Sequence, residues 1–124
     1  MEFFLDLKRD ENRHTEVLID DENPLPPCNE LLNYSSYFDW GMNSQGARQL
    51  SLAILLFYAK LNEIDKPEAF AIDRYVEFLK IFISHLKSDY MVIDSKTIEY
   101  EISRLTIERE AYLKNKYEEI MRNK

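Results

Sequence analysis

Only two glycines, one cysteine, one tryptophan and two histidines occur in the 124-residue chain. A lone cysteine, Cys28, excludes an internal disulfide and any multi-cysteine zinc site. His14 and His85 are too far apart in sequence to form a metal site by spacing, and no local motif pairs Cys28 with either as a nucleophile. His14 falls in a polar stretch beside Asp10, whereas His85 falls near the end of an apolar helical pattern and reads as a packed or hydrogen-bonded side chain. No apolar run approaches the roughly 18 residues of a membrane span. The opening "MEFFLDLKRDENRH" carries acids where a signal peptide carries bases, so the cytoplasm is the expected compartment. A basic stripe is also missing. Residues 1–30 hold nine acids against three bases, and the net charge is −7, which argues against nucleic-acid backbones as partners. Such an acidic surface either keeps the protein in solution or meets a basic partner. No carboxylate pair is marked by apolar surroundings. Asp39, between Phe38 and Trp40, comes nearest and reads as a loop hydrogen-bond acceptor. No catalytic residue, cofactor or metal is therefore expected.

What is present begins as strand. "EFFLDLK" and "TEVLI" are aromatic and β-branched, and the polar "RDENRH" between them suits a hairpin connection. Phe3, Leu5 and Leu7 alternate with Phe4, Asp6 and Lys8, which predicts one buried face. "DDENPLPPCNE" predicts an extended crossing loop, because proline fixes its own φ and biases its predecessor. Tyr34, Tyr37, Phe38 and Trp40 follow within a short irregular stretch, suited to close one end of a core or to meet a partner.

From Gly46 the pattern is helical through Lys60 and apolar nearly all round, which predicts a central, covered helix. Pro67, favourable at a first helical position, opens a second helix to about Lys87, with a stripe of Ile72, Tyr75, Val76, Leu79, Phe82, Ile83 and Leu86. "YMVI" reads as a short strand, and Asp94 or Ser95 as the cap of a last helix. That helix carries Tyr112, Leu113, Tyr117 and Ile120 on one side and is longer than the domain needs. It is expected to project in part and to join two copies as a homodimer. The expected fold is α+β: a small N-terminal antiparallel hairpin and a short strand packed on a buried central helix, with two further helices. One domain spans 1–105, and 106–124 extends its last helix.

Both glycines, Gly41 and Gly46, bracket "MNSQ" just before the central helix. A tight turn feeding a helix start accounts for both, with Asn43 or Ser44 capping. A second reading is an anion site formed by Trp40, Gly41, Asn43, Ser44, Gly46, Arg48 and Gln49. Backbone amides and the helix dipole would face a phosphate, Trp40 would stack on a nucleotide and Arg48 would pair with the anion. Gln49 itself, polar in an apolar helix, reads first as satisfying backbone groups of the aromatic loop.

"YFDWGMNSQGARQLSLAILLFYA" resembles the signature of the domain of unknown function 6166 family, F-x-W-G-Y-G-G-S-G-P-A-Q-L-A-L-A-I-L. Phe38, Trp40, Gly41, Gly46, Gln49, Leu50, Leu52, Ala53, Ile54 and Leu55 match. Asn43 and Ser44 replace family glycines, Ala47 a proline and Arg48 an alanine, leaving less room for close backbone–ligand approach. The resemblance, over about residues 1–105, implies a compact α+β domain of a kind frequent in mobile elements, and no chemistry. It makes a non-enzymatic bacterial or phage accessory factor the leading expectation, for example an inhibitor of a host defence protein. Tyr34, Tyr37 and Phe38, or the acidic face, would meet that protein partner. An anionic-ligand binder is the alternative.

Overall fold

A computed structural model describes residues 2–122 of the chain, apart from the side chains of 106–113, 116 and 117. Strand β1 (Phe4–Arg9) pairs antiparallel with β2 (Thr15–Ile19). Asp10 shapes their connection: its carboxylate accepts from the Asn12 and His14 amides at 2.9 and 2.8 Å, and Arg13 adopts a left-handed φ of 65°. Leu5 and Leu7 have no exposed surface, and Phe3 and Val17 are buried beside them, so the expected apolar face is present.

The chain does not leave the sheet after β2 as the prolines suggested. Asp20 and Asp21 both adopt positive φ, 53° and 59°, and the Glu22 amide donates to the Ile19 carbonyl at 3.0 Å. Two consecutive left-handed residues make a hairpin turn whose twist matches the strands, and aspartate tolerates that region. Asn23–Pro24 then pairs with β2 as a third strand, β3. Proline is tolerated there because β3 is an edge strand. Strand β4 (Tyr90–Asp94) returns after two helices to pair antiparallel with the other side of β1, giving the order β3-β2-β1-β4.

Helix α1 (Gln45–Leu61) lies against the inner face of the sheet, with Leu50, Leu52, Ala53, Ile54 and Leu55 wholly buried. Its first turn is capped by Ser44, whose hydroxyl accepts from the Ala47 amide at 3.2 Å. Helix α2 (Pro67–Ile81) packs along α1. It ends six residues before the expected Lys87. Past Phe82 the chain tightens into a 3-10 turn, Ile83–His85, which buries Ile83 and offers its carbonyl to the Gly41 amide at 3.0 Å. Two stripe residues, Ile72 and Val76, turn out to face solvent, while Ala71, Tyr75, Phe78 and Leu79 form the buried side. His85, expected to be packed or hydrogen-bonded, lies in the 3-10 turn and is exposed.

Helix α3 (Ser95–Arg122) starts at Asp94, whose carboxylate accepts from the Thr97 amide at 2.8 Å. Ile98, Ile102 and Leu105 close the core. At about 1.5 Å per residue the helix is roughly 42 Å long. The described side chains beyond Leu105 are all exposed.

Candidate functional site

The glycine-bracketed loop is a fastening between elements distant in sequence. Trp40 has no exposed surface, and its indole N–H donates to the Ser88 carbonyl at 2.9 Å. Arg9, the last residue of β1, lies over the indole with its guanidinium carbon 4.5 Å from the ring centroid. Arg9 Nη2 donates to the Trp40 carbonyl at 2.7 Å and to the Asp39 carboxylate, and Nη1 donates to Asp89 Oδ1 at 2.9 Å. Arg9 and Asp39 side chains are only 9% and 14% exposed. Burial alone would pull the Arg9 pKa down, but the hydrogen bonds and charges of Asp39 and Asp89 outweigh it and hold the guanidinium above its ordinary value. Asp39 also accepts from the Trp40 amide at 2.9 Å, the acceptor role its sequence position suggested.

Both glycines are explained by close approach. Gly41 has φ +87°, and a Cβ there would sit 2.7 Å from the Leu86 carbonyl oxygen. A Cβ on Gly46 would meet Asp39 Cβ at 2.9 Å. Gln49, with no exposed surface, bridges the aromatic loop: its oxygen accepts from the Tyr34 and Ser35 amides at 2.8 and 3.3 Å. Its amide nitrogen donates to the carbonyls of Leu32, at 3.0 Å, and Pro27. That is the structural reading of Gln49.

The arrangement divides the residues of the expected anion site. Trp40, Gly46 and Gln49 are buried, the polar groups of the Trp40 and Gln49 side chains are already partnered, and Ser44 is used as the helix cap. In this structure no ligand can stack on Trp40 or reach Gln49. Of the residues proposed to hold an anion, Asn43 is exposed, and Gly41, Ser44 and Arg48 are half-buried. Arg48 lies 5.8 Å from the Tyr34 ring centroid and forms no ion pair among the described residues. Tyr34 shares a hydroxyl hydrogen bond with Tyr75, and burial, then that bond, push the Tyr75 hydroxyl above its ordinary pKa while Arg48 pulls it down.

Among the partner candidates, Tyr37 is 61% exposed and Phe38 half-buried. With Val17, Pro24 and Leu25 they line a groove of about 260 Å³. Ile120 is exposed, whereas the side chains of Tyr112, Leu113 and Tyr117 lie outside the described residues. No group of three or more His, Cys, Asp or Glu that could hold a metal occurs among the described residues. Cys28 is buried, and that burial pushes its thiol pKa up, away from a nucleophilic thiolate. Among the described residues no helix is long and apolar enough to cross a membrane.

A family model described as a family of unknown function (DUF6166) matches residues 8–104. The chain belongs to that family. The match takes in Arg9, the loop from Tyr34 to Gln49 and Asp89, so the whole fastening lies within it. Most of α3 lies beyond it. No curated protein and no solved structure matches the chain.

Sequence reasoning missed Arg9 and Asp89. Their partnership with Asp39 joins three distant segments, and no local periodicity reports it. The one available signal was Asp39 between two aromatics, a carboxylate in need of a cation.

Proposed function

We propose that this protein is a non-enzymatic interaction module, a cytoplasmic accessory factor that works through protein–protein contacts and assembles as a homodimer through α3. The observation that carries this reading is the form of α3. Its first third completes the core, while its described side chains after Leu105, Ile120 and Met121 among them, are exposed at 53% and 48% for those two. Among the described residues Leu105 is the last of the helix to be buried, and the backbone continues about 25 Å beyond it. The chemistry expected of an enzyme lacks support as well, since Arg9, Asp39 and Gln49 are spent on holding the loop. A role in a phage or other mobile element rests on the family resemblance alone.

Native mass spectrometry of the intact chain and of a truncation after Leu105 tests the proposal. Expected are a dimer for the first and a folded monomer for the second. A monomeric intact chain, or a truncation that stays dimeric, removes the main support. Arg48 favours a second reading, in which an anionic ligand binds outside the loop rather than under it. The intact mass of protein taken directly from cells would then carry a small molecule, lost in Arg48→Ala.

A further inference from the structure

The face of the sheet turned away from α1 is formed by the alternate residues of three strands. The cross-strand register places Leu18, Asp6 and Val92 in one row, and Glu16, Lys8 and Tyr90 in the next. Phe4 and Asp94 form a third row with Asp20, whose carboxylate accepts from the Phe4 amide at 3.0 Å. This face is partly apolar and open: Phe4 is 37% exposed, Val92 54% and Tyr90 58%.

At its centre lies Asp6, only 5% exposed, with its Oδ2 buried and without a hydrogen-bond partner among the described residues. A buried carboxylate oxygen left without a donor costs stability and calls for an explanation, of which a partner or ligand that supplies the donor is one. The nearest cation along the strand, Lys8, does not fill the role, because its ammonium lies over the Tyr90 ring, 5.8 Å from the centroid. Glu16, Asp20 and Asp94 share the face with Lys8, while Lys96 at its far end lies 3.8 Å from the Glu2 carboxylate. At one end it opens into a depression of about 370 Å³, lined by Glu2, Asp20 and Asp94 around Phe4 and closed by Lys96.

The geometry points to this outer face as the docking surface of a basic segment of a partner protein, which sets an arginine on Asp6 between apolar side chains. Arginine fits better than lysine. Its planar, weakly hydrated guanidinium tolerates burial and pairs with the free carboxylate oxygen once the side chains over Asp6 part, while its aliphatic stem packs on Phe4 and Val92. The surplus of acids disfavours a nucleic acid. It also disfavours a second copy meeting face to face, since two Asp6 carboxylates would then be opposed. The inference goes beyond dimerisation through α3 and survives if the chain is a monomer.

The probe is the peptide acetyl-Val-Arg-Val-Arg-Val amide, with a citrulline-for-arginine version as its neutral control. Both are titrated into the intact chain and followed through backbone amide shifts. Expected are shifts centred on Phe4, Asp6, Leu18 and Val92, at least tenfold weaker binding to Asp6→Asn, and a similar loss with the citrulline peptide. Absence of binding to the intact chain, binding to Asp6→Asn within twofold, or equal binding of the control would overturn the proposal. Asp6→Leu supplies a readout that does not need the peptide. A carboxylate held for a partner is a burden on the free protein, so its melting temperature should rise by roughly 3–6 °C. A fall would make Asp6 part of the fold and overturn the proposal too. Self-association of the intact chain that disappears in Asp6→Asn would give the face to a second copy and overturn it equally.

Discussion

Two buried polar groups, Gln49 and Asp6, lie on opposite sides of the sheet and behave in opposite ways. Gln49 has no exposed surface and uses both ends of its amide, accepting from two backbone amides and donating to two carbonyls. Asp6 is nearly as buried and leaves one carboxylate oxygen without a donor among the described residues. The first kind of residue organises a fold, because a satisfied buried network fixes one geometry. The second kind subtracts from stability and marks a surface that something else completes. The loop around Gln49, which sequence reads first as a tight turn and second as a ligand site, belongs to the first kind. A strand residue that reads as ordinary alternation belongs to the second.

Gln49→Leu strikes this contrast hardest. Four backbone groups between Pro27 and Ser35 would lose their partner inside the protein, at about 3–5 kcal/mol in a chemical denaturation curve. A loss under about 1 kcal/mol would mean that the loop finds other partners at little cost. Arg9→Leu comes next, at about 3 kcal/mol, because it strands the Asp39 carboxylate. Arg13, whose Nη2 lies 3.8 Å from Asp39 Oδ2, keeps the cost at the low end. Indole fluorescence should report the same change, since the guanidinium over Trp40 is removed.

Gly41→Ala is expected to cost roughly 1–3 kcal/mol, from a left-handed backbone and the contact with the Leu86 carbonyl. The smallest effect is a pH dependence. The hydrogen bonds from Thr97 hold the Asp94 carboxyl below its ordinary pKa of 3.8. A carboxyl depressed in the folded state contributes its stability in full above the ordinary value, and loses it as pH falls through the depressed one. Asp94→Asn, which keeps a capping side chain but not the charge, should therefore lower stability slightly at neutral pH, leave it unchanged in strong acid and so flatten the acid limb of the curve.

The strands, the central helix and the cap at Asp94 were legible because each is written in local periodicity or in one capping side chain. The third strand was hidden by its prolines. The signal that outweighed them was Asp20–Asp21, a pair that accepts two left-handed conformations in succession. The early end of α2 was illegible for a different reason. Phe82, Ile83 and Leu86 keep a helical spacing, yet the Ile83 and Leu86 carbonyls are drawn against Gly41, some forty residues earlier in the chain. The glycines were read correctly as architecture, but what they approach is remote in sequence. Asp6 could have been suspected only by asking what would pair with it on a face that alternation placed outside the core.

If Gln49 builds the fold while Asp6 awaits a partner, the melting temperatures of Gln49→Leu and Asp6→Leu, measured beside the parent chain, must move in opposite directions. Both substitutions replace a buried polar side chain with an apolar one of similar size. A large fall is expected for Gln49→Leu and a rise for Asp6→Leu. Two falls would contradict this division, placing Asp6 with Gln49 among the residues that hold the protein together.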